Sequence, residues 1–375
     1  MDEESEEYAM YHAVLKHLKF VSSIFWSFPL TTFSKYFAGD TSDSTSKLEI
    51  YLTFFALSIL LFLFYHAGDL LRRLFRRLFS HRIQKRLIFD SYDLLKERDT
   101  WELIKDDSCV YAMKGRRNRM EDRFSVMSDK ETGIFLYGIF DGHGGEFAAD
   151  FVEKHLFKEL LKKLQTAVRS EKTEKNSLGP EFVKLLTKEI LEVDLKLLIK
   201  VKASKDVAGT TALVAIIYKN ELIVANVGDS RGVICDSKGN TIPLSFDHKP
   251  DQLKERRRIR EAGGFISFNG VWRVAGILAT SRALGDFPLK DRNLVIANPD
   301  ILTFDLTTLN PQFMILATDG LWDTCSNEDA IAFVKDNIKN DRYKGAKNLA
   351  LKAHKSGSMD NITVVVVDFS NREIS

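Results

Sequence analysis

Cysteine is scarce in this chain, and neither charge sign is in excess. Three cysteines in 375 residues, Cys109, Cys235 and Cys325, are an odd number at wide spacing with no C-x-x-C pair. That pattern excludes a disulfide framework and a thiolate zinc site, and the thiols read as reduced and cytosol-facing. A formal charge of +2 removes any bulk electrostatic argument for nucleic acid as a partner. There is no internal repeat and no low-complexity tract. With 45% hydrophobic and 28% charged residues, global disorder is excluded and a sizeable core is possible.

What is present begins with a tail, residues 1–47, in which Met1 to Glu7 carry five acids. Phe20 to Phe33 is aromatic-rich, short for a span and broken by Pro29, which suits an interfacial or re-entrant membrane contact better than a cleaved signal. Leu48 to Tyr65 has a single charge, Glu49, at its edge. As a helix its eighteen residues cover about 27 Å, enough to cross a thin bilayer such as that of the endoplasmic reticulum. A basic linker, residues 66–91, follows, with Arg72, Arg73, Arg76, Arg77, Arg82, Lys85 and Arg86 against the acid Asp69. Positive charge stays on the cytosolic side, so the tail is expected in the lumen and the C-terminal portion in the cytosol. The arginine pairs alternate with Leu70, Leu71, Leu74 and Phe75 at helical spacing, as in a helix lying on an anionic membrane surface or one simply solvated.

Residues 92–375 read as one globular domain. Strand-like runs are Phe124 to Met127, Ile134 to Phe140, Ala212 to Tyr218, Leu222 to Val227, Gly232 to Cys235, Phe313 to Ala317 and Ile362 to Val367, with Lys219 and Asn220 in a tight hairpin. Helical periodicity marks Glu146 to Gln165, Pro180 to Val201, Pro250 to Ala262, Asn327 to Ile338 and Lys344 to His354, and Glu171 to Asn176 is a polar loop. Hairpin-joined strands with helices inserted in blocks predict an α+β domain of stacked antiparallel sheets.

The acids fall at the ends of those strands. Asp141 follows Ile134 to Phe140, Asp229 follows Leu222 to Val227, and Asp319 follows Phe313 to Ala317. Asp360 precedes Ile362 to Val367, and Glu121 and Asp122 precede Phe124 to Met127. If the ends converge, the cluster is unfavourable unless cations neutralise it. Oxygen ligands without a histidine or cysteine cluster select Mg²⁺ or Mn²⁺, and a pair of such ions bridged by Asp141 makes a site for phosphate-ester hydrolysis. Arg116, Arg117 and Arg119 lie just upstream, and a guanidinium fork among them matches phosphoryl oxygens. The run Lys254 to Arg260 is the nearest approach to a basic track; it reads as a solvated helix face or a dock for acidic substrates, not as a nucleic-acid site.

Taken in order, R-x-x-M-E-D, G-I-F-D-G-H-G-G, A-G-T-T-A, A-N-V-G-D-S-R-G, S-R-A-L-G-D, A-T-D-G-L-W-D and D-N-I-T resemble the metal-dependent type 2C protein serine/threonine phosphatases from about Asp106 to Phe369. The resemblance implies an αββα sandwich with two metal ions in the cleft between sheet edges and a third, weaker position. By matching positions it implies one ion on Asp141, Asp319 and Asp360, and another on Glu121, Asp141 and the carbonyl of Gly142. Asp122 falls where metal-bound water is hydrogen-bonded, and Asp229, Asp319 and Asp323 match the third position. Arg117 aligns with the phosphate-binding arginine and His143 with the proposed general acid, while Thr210, Thr211 and Asp286 look structural. The implied reaction is hydrolysis of phosphoserine or phosphothreonine by a metal-activated water. The C-x5-R pattern of tyrosine phosphatases is missing, so no phosphoenzyme is expected.

The stretch Asp247 to Val274 and the membrane-proximal anchor are most similar to the membrane-anchored epsilon type within that family. This implies residence in the endoplasmic reticulum membrane, phosphoprotein substrates in stress-activated kinase cascades, and contact with ceramide-transfer machinery. A membrane-tethered scaffold that only binds partners is the competing reading, and the full set of matching ligand positions argues against it.

Overall fold

Runs of apolar residues pair into antiparallel strands wherever both of their faces find cover. The computed structural model describes residues 100–170, 179–341, 343–370 and 372; the expected tail, membrane helix and basic linker, and the polar loop Glu171 to Asn176, lie outside them. In chain order, β1 (Thr100–Lys105) and β2 (Ser108–Met113) form a hairpin, followed by β3 (Arg123–Asp129), β4 (Ile134–Phe140) and the short β5 (Gly142–His143). Two long helices, α1 (Phe147–Ser170) and α2 (Gly179–Ser204), precede β6 (Gly209–Thr210), β7 (Ala212–Tyr218), β8 (Glu221–Val227), β9 (Arg231–Cys235) and β10 (Thr241–Pro243). Next come α3 (Leu253–Glu261), the hairpin of β11 (Ile266–Asn269) and β12 (Val271–Val274), β13 (Leu284–Gly285), α4 (Phe287–Lys290), β14 (Asp300–Asp305) and α5 (Leu306–Leu309). The last elements are β15 (Phe313–Ala317), α6 (Asp319–Trp322), α7 (Asn327–Asn337), α8 (Ala346–Lys355) and β16 (Ile362–Asp368).

Two sheets carry the core, one ordered β1-β2-β16-β15-β9-β10 and the other β14-β8-β7-β4-β3. Side chains alternate across each strand, and the alternation assigns them to layers. In β4, Ile134, Leu136 and Phe140 face the helix layer of α1 and α2, while Tyr137 and Ile139 face the opposite sheet. In β16, Ile362, Val364 and Val366 pack towards α6, α7 and α8, and Val365 and Val367 join the inter-sheet core. The result is an αββα sandwich, and it explains why these strands read as unbroken apolar runs: neither face meets water. Gly138 allows α1 to approach β4, because a Cβ there would lie 2.5 Å from Phe157 Cζ. Phe157 in turn meets Phe140 edge-on, with centroids 5.9 Å apart. The hairpin at Lys219 and Asn220 forms as expected, with Tyr218 paired to Glu221 and Lys219 at φ 51°.

The run Lys254 to Arg260 is less solvated than its composition suggests. Within α3, Glu255 and Ile259 are buried, and Glu255 joins Arg282 at 2.6 Å and Arg258 at 3.1 Å. Arg258 also donates to the carbonyls of Ser281 and Leu294, so part of the basic run belongs to the interior. Burial pushes the Glu255 carboxyl up, but the hydrogen bonds and charges of Arg282 and Arg258 outweigh it and hold the pKa at about 2, against an ordinary 4.5. Glu255→Gln removes the buried partner of Arg282, leaves it the half-exposed Asp300, and is expected to cost about 1.5–3 kcal/mol in denaturant titration at neutral pH. The ion-pair contribution is complete above the ordinary value of 4.5 and fades as pH falls towards about 2. The stability gap between wild type and Glu255→Gln should therefore narrow across that acid interval and stay constant on the alkaline side.

Candidate active site

Antiparallel pairing brings the acids together. Arg123 at the start of β3 pairs with Phe140 at the end of β4, so Glu121, Asp122 and Asp141 emerge from the same edge of one sheet. Ala317 at the end of β15 pairs with Val364 near the start of β16, which sets Asp319 and Asp360 at the matching edge of the other. Asp229 leaves β8 on the edge shared with β4. Burial raises the Asp141 carboxyl well above the ordinary range, and the charges of Asp319, Asp122, Asp229 and Asp360 raise it further. Asp319 is raised by burial and then by Asp229, Asp323 and Asp360.

Asp122 ties the sheets to one another. Its Oδ2 accepts from Thr318 Oγ1 at 3.0 Å, beyond β15, and from Thr363 Oγ1 at 2.7 Å, in β16. Burial lifts its pKa to about 7 although both hydroxyls work to lower it. Asn361 closes the loop before β3: its Oδ1 accepts from the Glu121 N–H at 2.7 Å, and its Nδ2 donates to the carbonyls of Lys114 and Arg119. Although Asn361-Ile362-Thr363 fits a glycosylation acceptor, the Asn361 side chain is buried and fully engaged in the folded domain. Gly142 lies against the same loop, where a Cβ would sit 2.4 Å from the Glu121 carbonyl oxygen. The Asp141 N–H donates to Thr211 Oγ1 at 3.0 Å, and Thr211 Oγ1 lies 2.9 Å from Ser230 Oγ, so Thr211 links the loops of Asp141 and Asp229.

Cationic groups surround this edge. Arg117 Nη2 lies 2.5 Å from Asp360 Oδ2 and its Nε donates to the Met359 carbonyl, so the expected phosphate anchor rests on one of the acids. Lys249 Nζ lies 2.6 Å from Asp229 Oδ2. His143 belongs to a small sheet, β13-β6-β5, which carries it to Asp286. Its Nε2 is 2.9 Å from both Asp286 oxygens. The pair needs Gly209 between them, since a Cβ there would fall 2.0 Å from Asp286 Oδ2 and 2.4 Å from His143 Nε2. Asp286 itself is held in the left-handed region, φ 53°, with its N–H bonded to the Ala208 carbonyl. Burial opposes the His143 charge, but the adjacent Asp286 carboxylate outweighs it and raises the imidazole pKa.

The donor set suits a hard divalent cation: every acid here is an oxygen donor, and among the described residues no side chain or N–H donates to the carboxylates of Asp141 or Asp319. No group of three histidine, cysteine or acidic side chains among the described residues closes tightly enough to hold an ion as it stands. Asp286 and Lys249 carry partners that pattern reading assigned to structure or passed over. The only sequence signal was their position in S-R-A-L-G-D and D-H-K-P, each far along the chain from the residue it meets.

In Asp286→Asn the largest of the charges that oppose burial at His143 is gone, with Asp229 and Glu121 left to oppose it, so the imidazole is expected to titrate lower than in the wild type. A ring-proton NMR titration of both proteins reads the shift, and identical curves would show that Asp286 is not its cause.

Comparison with known proteins agrees with this architecture. The protein phosphatase 2C family model matches residues 106–362. Protein phosphatase 1L of Bos taurus is 54% identical over 274 residues, covering 72% of this chain and 75% of that protein. Probable protein phosphatase 2C 59 of Arabidopsis thaliana is 42% identical over 261 residues, covering 68% and 77%. The crystal structure of a serine-threonine phosphatase 2C from Toxoplasma gondii superposes with a TM-score of 0.63 at 24% identity, over 72% of this chain and 98% of that one, and shows the shared fold. With a family match running from the β1–β2 turn to the start of β16, the chain belongs to the protein phosphatase 2C family and is a protein serine/threonine phosphatase.

Proposed function

We propose that this phosphatase works from the membrane surface with Mg²⁺ or Mn²⁺ held by the acids of the two sheet edges. Asp141, Asp319 and Asp360 hold one ion, Glu121, Asp141 and the Gly142 carbonyl hold another, and Asp229, Asp319 and Asp323 form a third, weaker position. When bound, such ions offset phosphoryl charge and make water nucleophilic near neutral pH. The reading is carried by one observation: carboxylates from both sheets gather at one partly buried edge, where desolvation and then four acidic neighbours raise Asp141.

The chain's own groups supply the rest. Asp122, bonded to two threonine hydroxyls, fixes the spacing of the edges. Arg117 turns from Asp360 to fork onto the phosphoryl oxygens. His143 keeps Nε2 on Asp286 and hands a proton from Nδ1 to the departing serine or threonine oxygen. Asp141→Asn should reduce phosphate release from phosphothreonine peptides by at least about 10²-fold in Mn²⁺. Absence of release by the wild-type protein would overturn the reading.

The apolar run 48–65 and the basic residues behind it support a single-pass anchor in the endoplasmic reticulum with the domain in the cytosol. Among the described residues, no helix is long and apolar enough to cross a membrane. Anchoring restricts substrates to phosphoproteins within reach of that surface, and the resemblance to the epsilon type points to stress-activated kinase cascades and ceramide-transfer machinery. Protease added to intact microsomes should remove the domain, while protection of the domain would reverse the orientation. Asp141→Asn used as a trap in native membranes should retain those phosphoproteins, and recovery of none of them would remove the proposed targets.

A further inference from the structure

Lys249 is a buried-edge cation that the mechanism above does not use. Its ammonium lies 2.6 Å from Asp229 Oδ2, and Asp229 is 7% exposed. Asp319 and Asp247 also bear on its charge, and Lys249 is in turn the main favourable charge acting on Asp323. The loop that carries it is clamped on both sides. Asp247 receives a two-pronged contact from Arg231 at 2.9 and 2.7 Å. The His248 N–H donates to the Gly228 carbonyl at 2.9 Å, and the Gly228 N–H donates to His248 Nδ1 at 3.0 Å. Ser281 donates to the His248 carbonyl through both its N–H and its hydroxyl. Gly228 and His248 immediately precede Asp229 and Lys249, so these two contacts hold the segments that carry the carboxylate and the ammonium side by side.

We infer that Lys249 is a tethered counter-cation that competes with a divalent ion for Asp229, and so sets the weakness of the third metal position; this rests on the metal-centre reading given above. An ion that draws on Asp229, Asp319 and Asp323 must take Asp229 Oδ2 from the ammonium, and the two cations repel one another across a few ångströms. Their binding is therefore mutually exclusive at that oxygen and antagonistic over the rest of the group. A lysine here offsets the charge of the acids, and the clamps on Asp247 and His248 hold its backbone beside Asp229. Arginine would keep the charge, whereas methionine keeps the stem and removes the charge.

The test is Mn²⁺ binding by the purified full-length protein, followed by electron paramagnetic resonance of free Mn²⁺. The wild type should show a tight class and a weak class. Lys249→Met should tighten the weak class roughly tenfold and leave the tight class unchanged, as expected for removing one nearby charge. Lys249→Arg should keep the weak class as in wild type, and Asp229→Asn should abolish it in either background. If Lys249→Met does not fold, Lys249→Gln gives the same reading with a polar side chain. A tight class present in all proteins with a weak class unmoved in Lys249→Met, or absent from both, would overturn the role of Lys249 alone. No Mn²⁺ bound by the wild type would instead overturn the metal-centre reading.

Discussion

Like charges held together at a partly buried edge are the constraint on which this structure turns. Six strand-end acids are brought close by ladder geometry, and burial and mutual repulsion raise Asp141 and Asp319 far above the ordinary carboxylate range. Repulsion would push the sheets apart at that edge if nothing bridged them. Asp122 does so, accepting hydrogen bonds from Thr318 and Thr363 of the opposite sheet. The sandwich beneath, with an inter-sheet core running from Val110 to Phe369, makes the edge rigid enough to hold the acids in place. A group of this kind is stable only beside positive charge, which is the physical reason that a metal-dependent activity belongs here.

The positive charge comes from two loops and a short strand. Arg117 reaches Asp360, Lys249 reaches Asp229, and His143 carries its own carboxylate, Asp286. Each has a different geometry and a different use. The Arg117 pair is more than half exposed on the arginine side. Lys249 stands on a clamped loop and is suited to staying. His143 is fixed through a three-stranded sheet in which Gly209 leaves room for the imidazole and the Asp286 carboxylate to meet. The edge thus combines one exposed arginine, one lysine on a clamped loop and one histidine oriented by its own carboxylate.

Several elements were legible in the chain itself. Ile134 to Phe140, Ala212 to Tyr218 and Phe313 to Ala317 coincide with β4, β7 and β15 because a strand covered on both faces leaves an uninterrupted apolar run. β1, β10 and β14 escaped notice because they lie at sheet edges, where one face or one side meets solvent and the pattern weakens. The β11–β12 hairpin is two-stranded and largely exposed, and gives no core signal. Glu255 shows the converse failure: within a run of basic residues it looked solvated, yet it is buried against Arg282, which lies 27 residues away.

The sequence alone determined which residues are acids, where each stands relative to its strand, and that the family motifs occur in order from Arg117 to Thr363. Those are local properties, written in the period of side-chain burial and in short spacings. The tertiary structure decided which charges meet. His143 and Asp286 are 143 residues apart, and Asp122 and Thr363 are 241 apart. Such contacts depend on strand order and register between segments that have no local means of signalling each other. The chain could therefore announce an acidic edge and its chemistry, while the assignment of Asp286 to His143 and of Lys249 to Asp229 required the folded molecule.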